Sequence, residues 1–148
     1  VEIATIGLII TFYSAGIATL AAAQKYREFS RKLKVTFSVA VYPHFGGVKK
    51  AFSLSCTNEG RRPITITSYG LLMLNNKVIL IPWYPESPCR LPATLGDGQN
   101  CLLLFSREAV TDVLKEAGYT REVYLKPFFG DSSGKRHFSK KVKIQLEQ

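Results

Sequence analysis

Twenty-one consecutive residues without a charge, Ile3 to Ala23, constrain this chain more than any other feature of it. Wound into a helix, at about 1.5 Å per residue, they reach roughly 30 Å, the thickness of a bilayer's hydrocarbon core. Three structures accommodate such a run: a membrane span, a cleavable export signal, or a helix buried in a soluble domain. An export signal carries its positive charge before the apolar run. Here Glu2 precedes the run, while Lys25, Arg27, Arg31, Lys32 and Lys34 follow it, opposed only by Glu28. A helix packed in a soluble core shows a polar face, and none interrupts this run. The expectation is a single transmembrane helix over residues 1–24 and a basic juxtamembrane segment over residues 25–34.

Basic residues crowd one end of the run and are missing from the other, so the positive-inside rule sets the orientation. The N-terminus is expected outside, with everything from Lys25 onward on the cytoplasmic side of the inner (plasma) membrane. Lys25, Arg27, Arg31, Lys32 and Lys34 then lie at the membrane surface, where anionic lipid headgroups attract each by roughly 1 kcal/mol. Within the run, Gly7, Thr11, Ala15, Thr19 and Ala23 recur every four residues, and Ser14, Ala18 and Ala22 form a parallel row. Small residues at that spacing let a second helix approach closely. Gly7, Thr11, Ser14, Ala15, Ala18 and Ala22 are therefore expected to pack against a helix of another membrane protein.

Residues 35–148 suffice for one domain with a real core. Setting aside the juxtamembrane cluster, 15 Lys and Arg face 9 Asp and Glu there, a surplus that suits headgroups or an acidic partner. Nucleic acid is not expected, because the Tyr and Phe residues fall at core-facing positions rather than on a stacking platform. Three cysteines, Cys56, Cys89 and Cys101, with no C-x-x-C pair, agree with reduced thiols in cytoplasm. If the domain faced outward instead, Cys89 and Cys101 could close a loop. His44 and His137 stand in no ligand spacing with a cysteine, so neither a metal nor a cofactor is expected.

The pattern of this domain is that of strands. "KVTFSVAVYP" (34–43) alternates, with Val35, Phe37, Val39 and Val41 on one face. "AFSLSCTN" (51–58) alternates again and puts Phe52, Leu54 and Cys56 inward; "EGRRP" turns the chain into "ITITSYGLLML" (64–74). Asn75 and Asn76 tolerate positive φ and predict a tight turn into "KVILIP". A proline-rich loop leads to a further strand, "NCLLLF" (100–105). "SREAVTDVLKEAG" (106–118) predicts one short helix, capped by Ser106 and ended by Gly118. "REVYLKPFF", the turn "GDSSG" and "KRHFSKKVKIQL" close the chain as strands.

No β-α-β alternation occurs, which leaves an antiparallel sandwich. "FSLSCTNEGRRPITITSYGLLM" (52–73), with Asn58, Gly60 and Pro63 ahead of the β-branched Ile64, Thr65 and Ile66, resembles the immunoglobulin-like modules of bacterial single-pass membrane proteins. The resemblance implies an all-β fold: an antiparallel immunoglobulin-like sandwich of seven or eight strands with one short helix. It implies no activity. Antibody-type domains differ, since Trp83 lies in the proline-rich loop rather than between two cysteines.

Residues able to carry chemistry are few. Asp131, Ser132 and Ser133, with His137 nearby, read as hairpin chemistry rather than a nucleophile and its base. "GDGQ" (96–99) has no G-K-[ST] after it and is no phosphate-binding loop. In "PWYPESP" (82–88) Trp83 and Tyr84 sit on a stiff loop, either as partner-contact residues or as a cap on the core. The expectation is a non-enzymatic accessory or scaffold subunit of a larger membrane complex. Its partners are other membrane protein subunits and anionic lipid, with no small-molecule substrate. The alternative is a free-standing membrane-tethered sensor or effector whose sandwich binds a soluble ligand, protein or nucleic acid.

Overall fold

A computed structural model describes the backbone of residues 2–29 and 31–146, and most of their side chains. Helix α1 (Glu2–Phe29) comes first, so the juxtamembrane segment is helical as far as Phe29. It leads into two antiparallel sheets. The smaller has the order β1 (Leu33–His44), β2 (Gly47–Asn58), β6 (Asn100–Ser106). The larger is centred on β3 (Ile64–Met73) and β7 (Glu122–Asp131). On its β3 side lie β4 (Val78–Ile79) and β5 (Ala93–Leu95), and on its β7 side β8 (Arg136–Phe138) and β9 (Val142–Gln145). Inward residues of both sheets, among them Leu54, Ile66, Leu103, Leu125 and Phe129, form one core. Helix α2 (Arg107–Glu116) closes one end of it with Val110 and Leu114.

The antiparallel two-sheet architecture and the short helix agree with expectation; the strand count differs. The last predicted strand divides into β8 and β9, and Pro127 accounts for the break. Its carbonyl accepts from the Ser139 N–H, so its nitrogen faces the same edge and has no proton to give. The edge strand parts opposite that gap. β5 was not expected, since three residues carry no period to detect. "KVILIP" keeps only a two-residue ladder because the chain changes sheets there. Ile81 is buried, its carbonyl accepts from the Tyr69 hydroxyl at 2.5 Å, and by Tyr84 the backbone bonds to Leu104 of β6. Asn76 takes positive φ in the turn after β3, as its type allows.

None of the described α1 side chains joins the core, whose described members all follow Phe29. The described side chains from Thr11 to Tyr26 are all exposed. Among the described residues no helix is long and apolar enough to cross a membrane. The unbroken run of described α1 side chains, 11–26, is shorter than a span; Ile3, Ile6 and Leu8 to Ile10 lie outside the described side chains.

Candidate interaction surfaces

The two ends of the sandwich are built differently, and each gathers some of the residues singled out by pattern. At the end nearest α1, Asn58 is fully buried and ties four segments together. Its side-chain amide donates to the carbonyls of Arg62 (2.7 Å) and Leu95 (2.9 Å), and its Oδ1 accepts from the Gly60 N–H at 2.9 Å. Its backbone pairs with Gln99 and Gly98. The Glu59 N–H then donates to the Lys32 carbonyl at 2.8 Å, which fastens this turn to the chain leaving α1.

A second clasp adjoins the first. Asp131 Oδ1 accepts from the Ser133 N–H (2.9 Å), the Ser133 hydroxyl (2.5 Å) and the Lys135 N–H (3.1 Å), and Oδ2 meets His137 Nε2 at 2.9 Å. Burial pushes the Asp131 carboxyl up, but these donors, His137 foremost, outweigh burial and bring it down to about 2. The Ser133 hydroxyl donates its proton to the aspartate, and together these bonds hold the turn. The Ser132 N–H reaches the Thr65 carbonyl at 2.9 Å and docks that turn beside the Arg61–Pro63 turn.

The thiols depart from expectation. The structure pairs Cys89 with Cys101 as a disulfide, with Cα atoms 5.2 Å apart, where the odd count suggested reduced thiols. Sequence could not show that the proline-rich loop returns along β6, which brings Cys89 beside the first inward residue of that strand. Cys56 is the free cysteine; it pairs across the ladder with Cys101, and burial pushes its thiol up to about 12. Such a thiol is inert.

Trp83 and Tyr84 are half-buried. Trp83 meets Tyr69 edge to face at 5.2 Å and packs on the core, and Tyr84 lies 5.2 Å from the Tyr42 ring. Trp83 thus caps the core and Tyr84 packs on Tyr42, with part of each ring left exposed. On α1, Gly7, Thr11, Ser14, Ala15, Ala18 and Ala22 are all exposed. Their hydroxyls are satisfied within the helix: Thr11 donates to Gly7, Ser14 to Thr11, and Thr19 to Ala15. Lys25, Arg31, Lys32 and Lys34 are exposed, and the Arg27 side chain lies outside the described residues.

The far end is looser. β2 pairs with β6 only over Ala51–Thr57, and beyond that the β1–β2 hairpin runs on alone, exposing Val41, Phe45 and Val48. Between it and α2 lies an open recess of about 500 Å³ lined by Lys49, Lys50, Arg107 and Lys115, with Glu108 and Asp112 opposing them. No protein-family model matches the chain, and no curated protein shows significant similarity to it.

Proposed function

We propose that the chain is a membrane-anchored, non-enzymatic accessory subunit. In this reading α1 is a single span that packs on a helix of another membrane protein, and the immunoglobulin-like sandwich sits on the cytoplasmic face. The observation that carries it is the uncovered apolar surface of α1. Phe12, Ile17 and Leu20 stand exposed on a helix whose described side chains the sandwich leaves uncovered. A patch of that extent is a liability in water and an asset in lipid or against another helix. The internal bonds of Thr11, Ser14 and Thr19 suit the same setting, since hydrocarbon offers hydroxyls no other partner.

Against the cytoplasmic orientation stands the Cys89–Cys101 bond, because cytoplasmic thiols are kept reduced. We give the five basic residues after the run more weight, because the loop carrying Cys89 is tied down without the bond. The Tyr84 N–H reaches Leu104, and the Leu104 N–H reaches the Ser87 hydroxyl at 2.9 Å. Alkylating thiols in intact cells before lysis decides the orientation. Modified Cys89 and Cys101 agree with it, and a bond that resists alkylation places the domain outside.

Membrane preparations test the remainder. The full chain is expected to stay in carbonate-washed membranes and to co-purify with other membrane proteins in fixed ratio after mild detergent extraction. Ala15→Leu or Ala18→Leu should lower that ratio without releasing the chain. Release of the unaltered chain by carbonate overturns the anchor; an unchanged ratio in both variants overturns the helix packing.

A further inference from the structure

One end of the sandwich gathers exposed basic residues directly beside α1. Three turns distant in sequence converge where β1 leaves α1. The Lys32 carbonyl bonds to Glu59, the Asn58 side chain holds the Arg62 carbonyl, and the Thr65 carbonyl bonds to Ser132 of the turn that carries Lys135. Lys32, Lys34, Arg61, Arg62 and Lys135 are all exposed at this end. Among the described residues the acids there are Glu59, which pairs with Lys32 at 3.4 Å, the exposed Asp97, and Asp131, which is buried within its own turn. The opposite end is basic too, with Lys49, Lys50, Lys77, Arg107, Lys115, Arg121 and Lys143 against Glu108, Asp112, Glu116 and Glu122; what sets the first end apart is its place beside α1.

We propose that this end of the sandwich, through Arg61, Arg62 and Lys135 together with Lys32 and Lys34, docks onto anionic lipid headgroups. The inference rests on α1 being the membrane anchor. It adds that the domain stands on the bilayer in a fixed pose rather than swinging on its tether. The basic end adjoins the C-terminal end of α1, where the Lys32 carbonyl bonds to Glu59, so a bilayer holding α1 brings its headgroups nearest to this face. Its charge complements phosphate, and its turns are rigid, clasped by Asn58 and Asp131. Each Lys or Arg near an anionic surface shifts the docked equilibrium about fivefold, so three of them shift it about a hundredfold.

The test reconstitutes the full chain into vesicles of phosphatidylcholine alone or with a third phosphatidylglycerol. A donor fluorophore is placed through Ser132→Cys or, at the far end, Phe45→Cys, and an acceptor is carried by labelled headgroups. Flotation of the chain with the neutral vesicles checks the anchor first, and failure there counts against the anchor reading alone. Given flotation, energy transfer from position 132 should rise on adding phosphatidylglycerol and fall back in high salt. Combined Arg61→Gln, Arg62→Gln and Lys135→Gln should return it to the neutral-lipid level. Position 45 should show low transfer throughout. Transfer from position 132 that is equal in both lipids, or unchanged in the triple variant, overturns the docking face.

Discussion

The end of the sandwich beside α1 and the end beside α2 solve the same problem, turning strands, by different means. Near α1 the turns are held by side chains that reach the backbone: Asn58 with three such bonds, Asp131 with its own set, and the Cys89–Cys101 bridge close by. Near α2 the hairpin outruns its neighbouring strand, its tip glycines Gly46 and Gly47 take positive φ, and its apolar residues stay exposed. The first end is fixed by satisfying buried polar groups, which is costly to disturb. The second is closed by a helix laid over the core, and its protruding arm is held by one ladder and by the packing of Tyr42 on Tyr84. The clasped turns are thus concentrated where the chain leaves α1, the end that the proposed docking would use.

The sharpest way to break this contrast is Asn58→Ala. It leaves the carbonyls of Arg62 and Leu95 and the N–H of Gly60 without the partner they have, in a site fully shielded from water. A loss of about 3 kcal/mol is expected, read as a fall in the urea midpoint. The far-end counterpart is Asn75→Ala. There the Asn75 side chain accepts from the Lys77 N–H in an exposed turn, and a loss below about 0.5 kcal/mol is expected. Equal losses in the two variants would dissolve the distinction between the ends.

Acid probes the same contrast with a smaller effect. The native Asp131 carboxyl, at about 2, lies below its ordinary 3.8. Its stabilisation is therefore complete above about pH 4 and is lost as pH falls through about 2, a difference of about 2 kcal/mol. At the far end the Glu122–Lys143 pair is half-exposed on both sides and adds well under 1 kcal/mol. Unfolding measured from pH 6 down to 2 should show that Asp131→Asn removes a component of the acid slope that Lys143→Ala leaves in place. Identical slopes in the native protein and Asp131→Asn would count against the clasp.

Much of this was legible in the residues, for a physical reason. Alternation marks β1, β2, β3 and β6 because one face of each meets the core, and Ser106 and Gly118 bracket α2 because they satisfy or release its ends: Ser106 Oγ accepts from the Ala109 N–H, and Gly118 takes positive φ. Asn58 and Pro63 stood out as a motif, though its purpose, four segments tied by the side chain and backbone of Asn58, appears only in three dimensions. Gly60 was singled out with them, yet left-handed backbone occurs at Gly46, Gly47, Gly98, Gly118 and Gly134 and not there. The Cys89–Cys101 pairing was named in the sequence only for an outward-facing domain, because pairing depends on how a loop returns and spacing does not encode that. Val39 and Val41 have the alternation of core residues but no opposing sheet, so the period was read correctly and the burial was not. The convergence of Arg61, Arg62 and Lys135 depends on which turns share an end, which strand topology alone decides.

The smallest expected effect tests the far end by its indifference. Val41 is 62% exposed and Phe45 fully so, although Val41 shares a face with Val35 and Phe37 through the β1 alternation. Burial, not type, sets what an apolar side chain contributes, at about 25 cal/mol for each Å² removed from water. Val41→Thr and Phe45→Ser should therefore change stability by less than about 0.5 kcal/mol, while Leu54→Ala, further along the same hairpin and fully buried, should cost about 2–5 kcal/mol. Amide exchange should divide the hairpin at the same place: residues 41–50 bound by one ladder exchange ahead of residues 52–57, which lie between two. Should Phe45→Ser cost as much as a core truncation in the isolated full-length chain, the arm would have to fold back onto the sandwich, and the two ends would no longer differ in the way proposed.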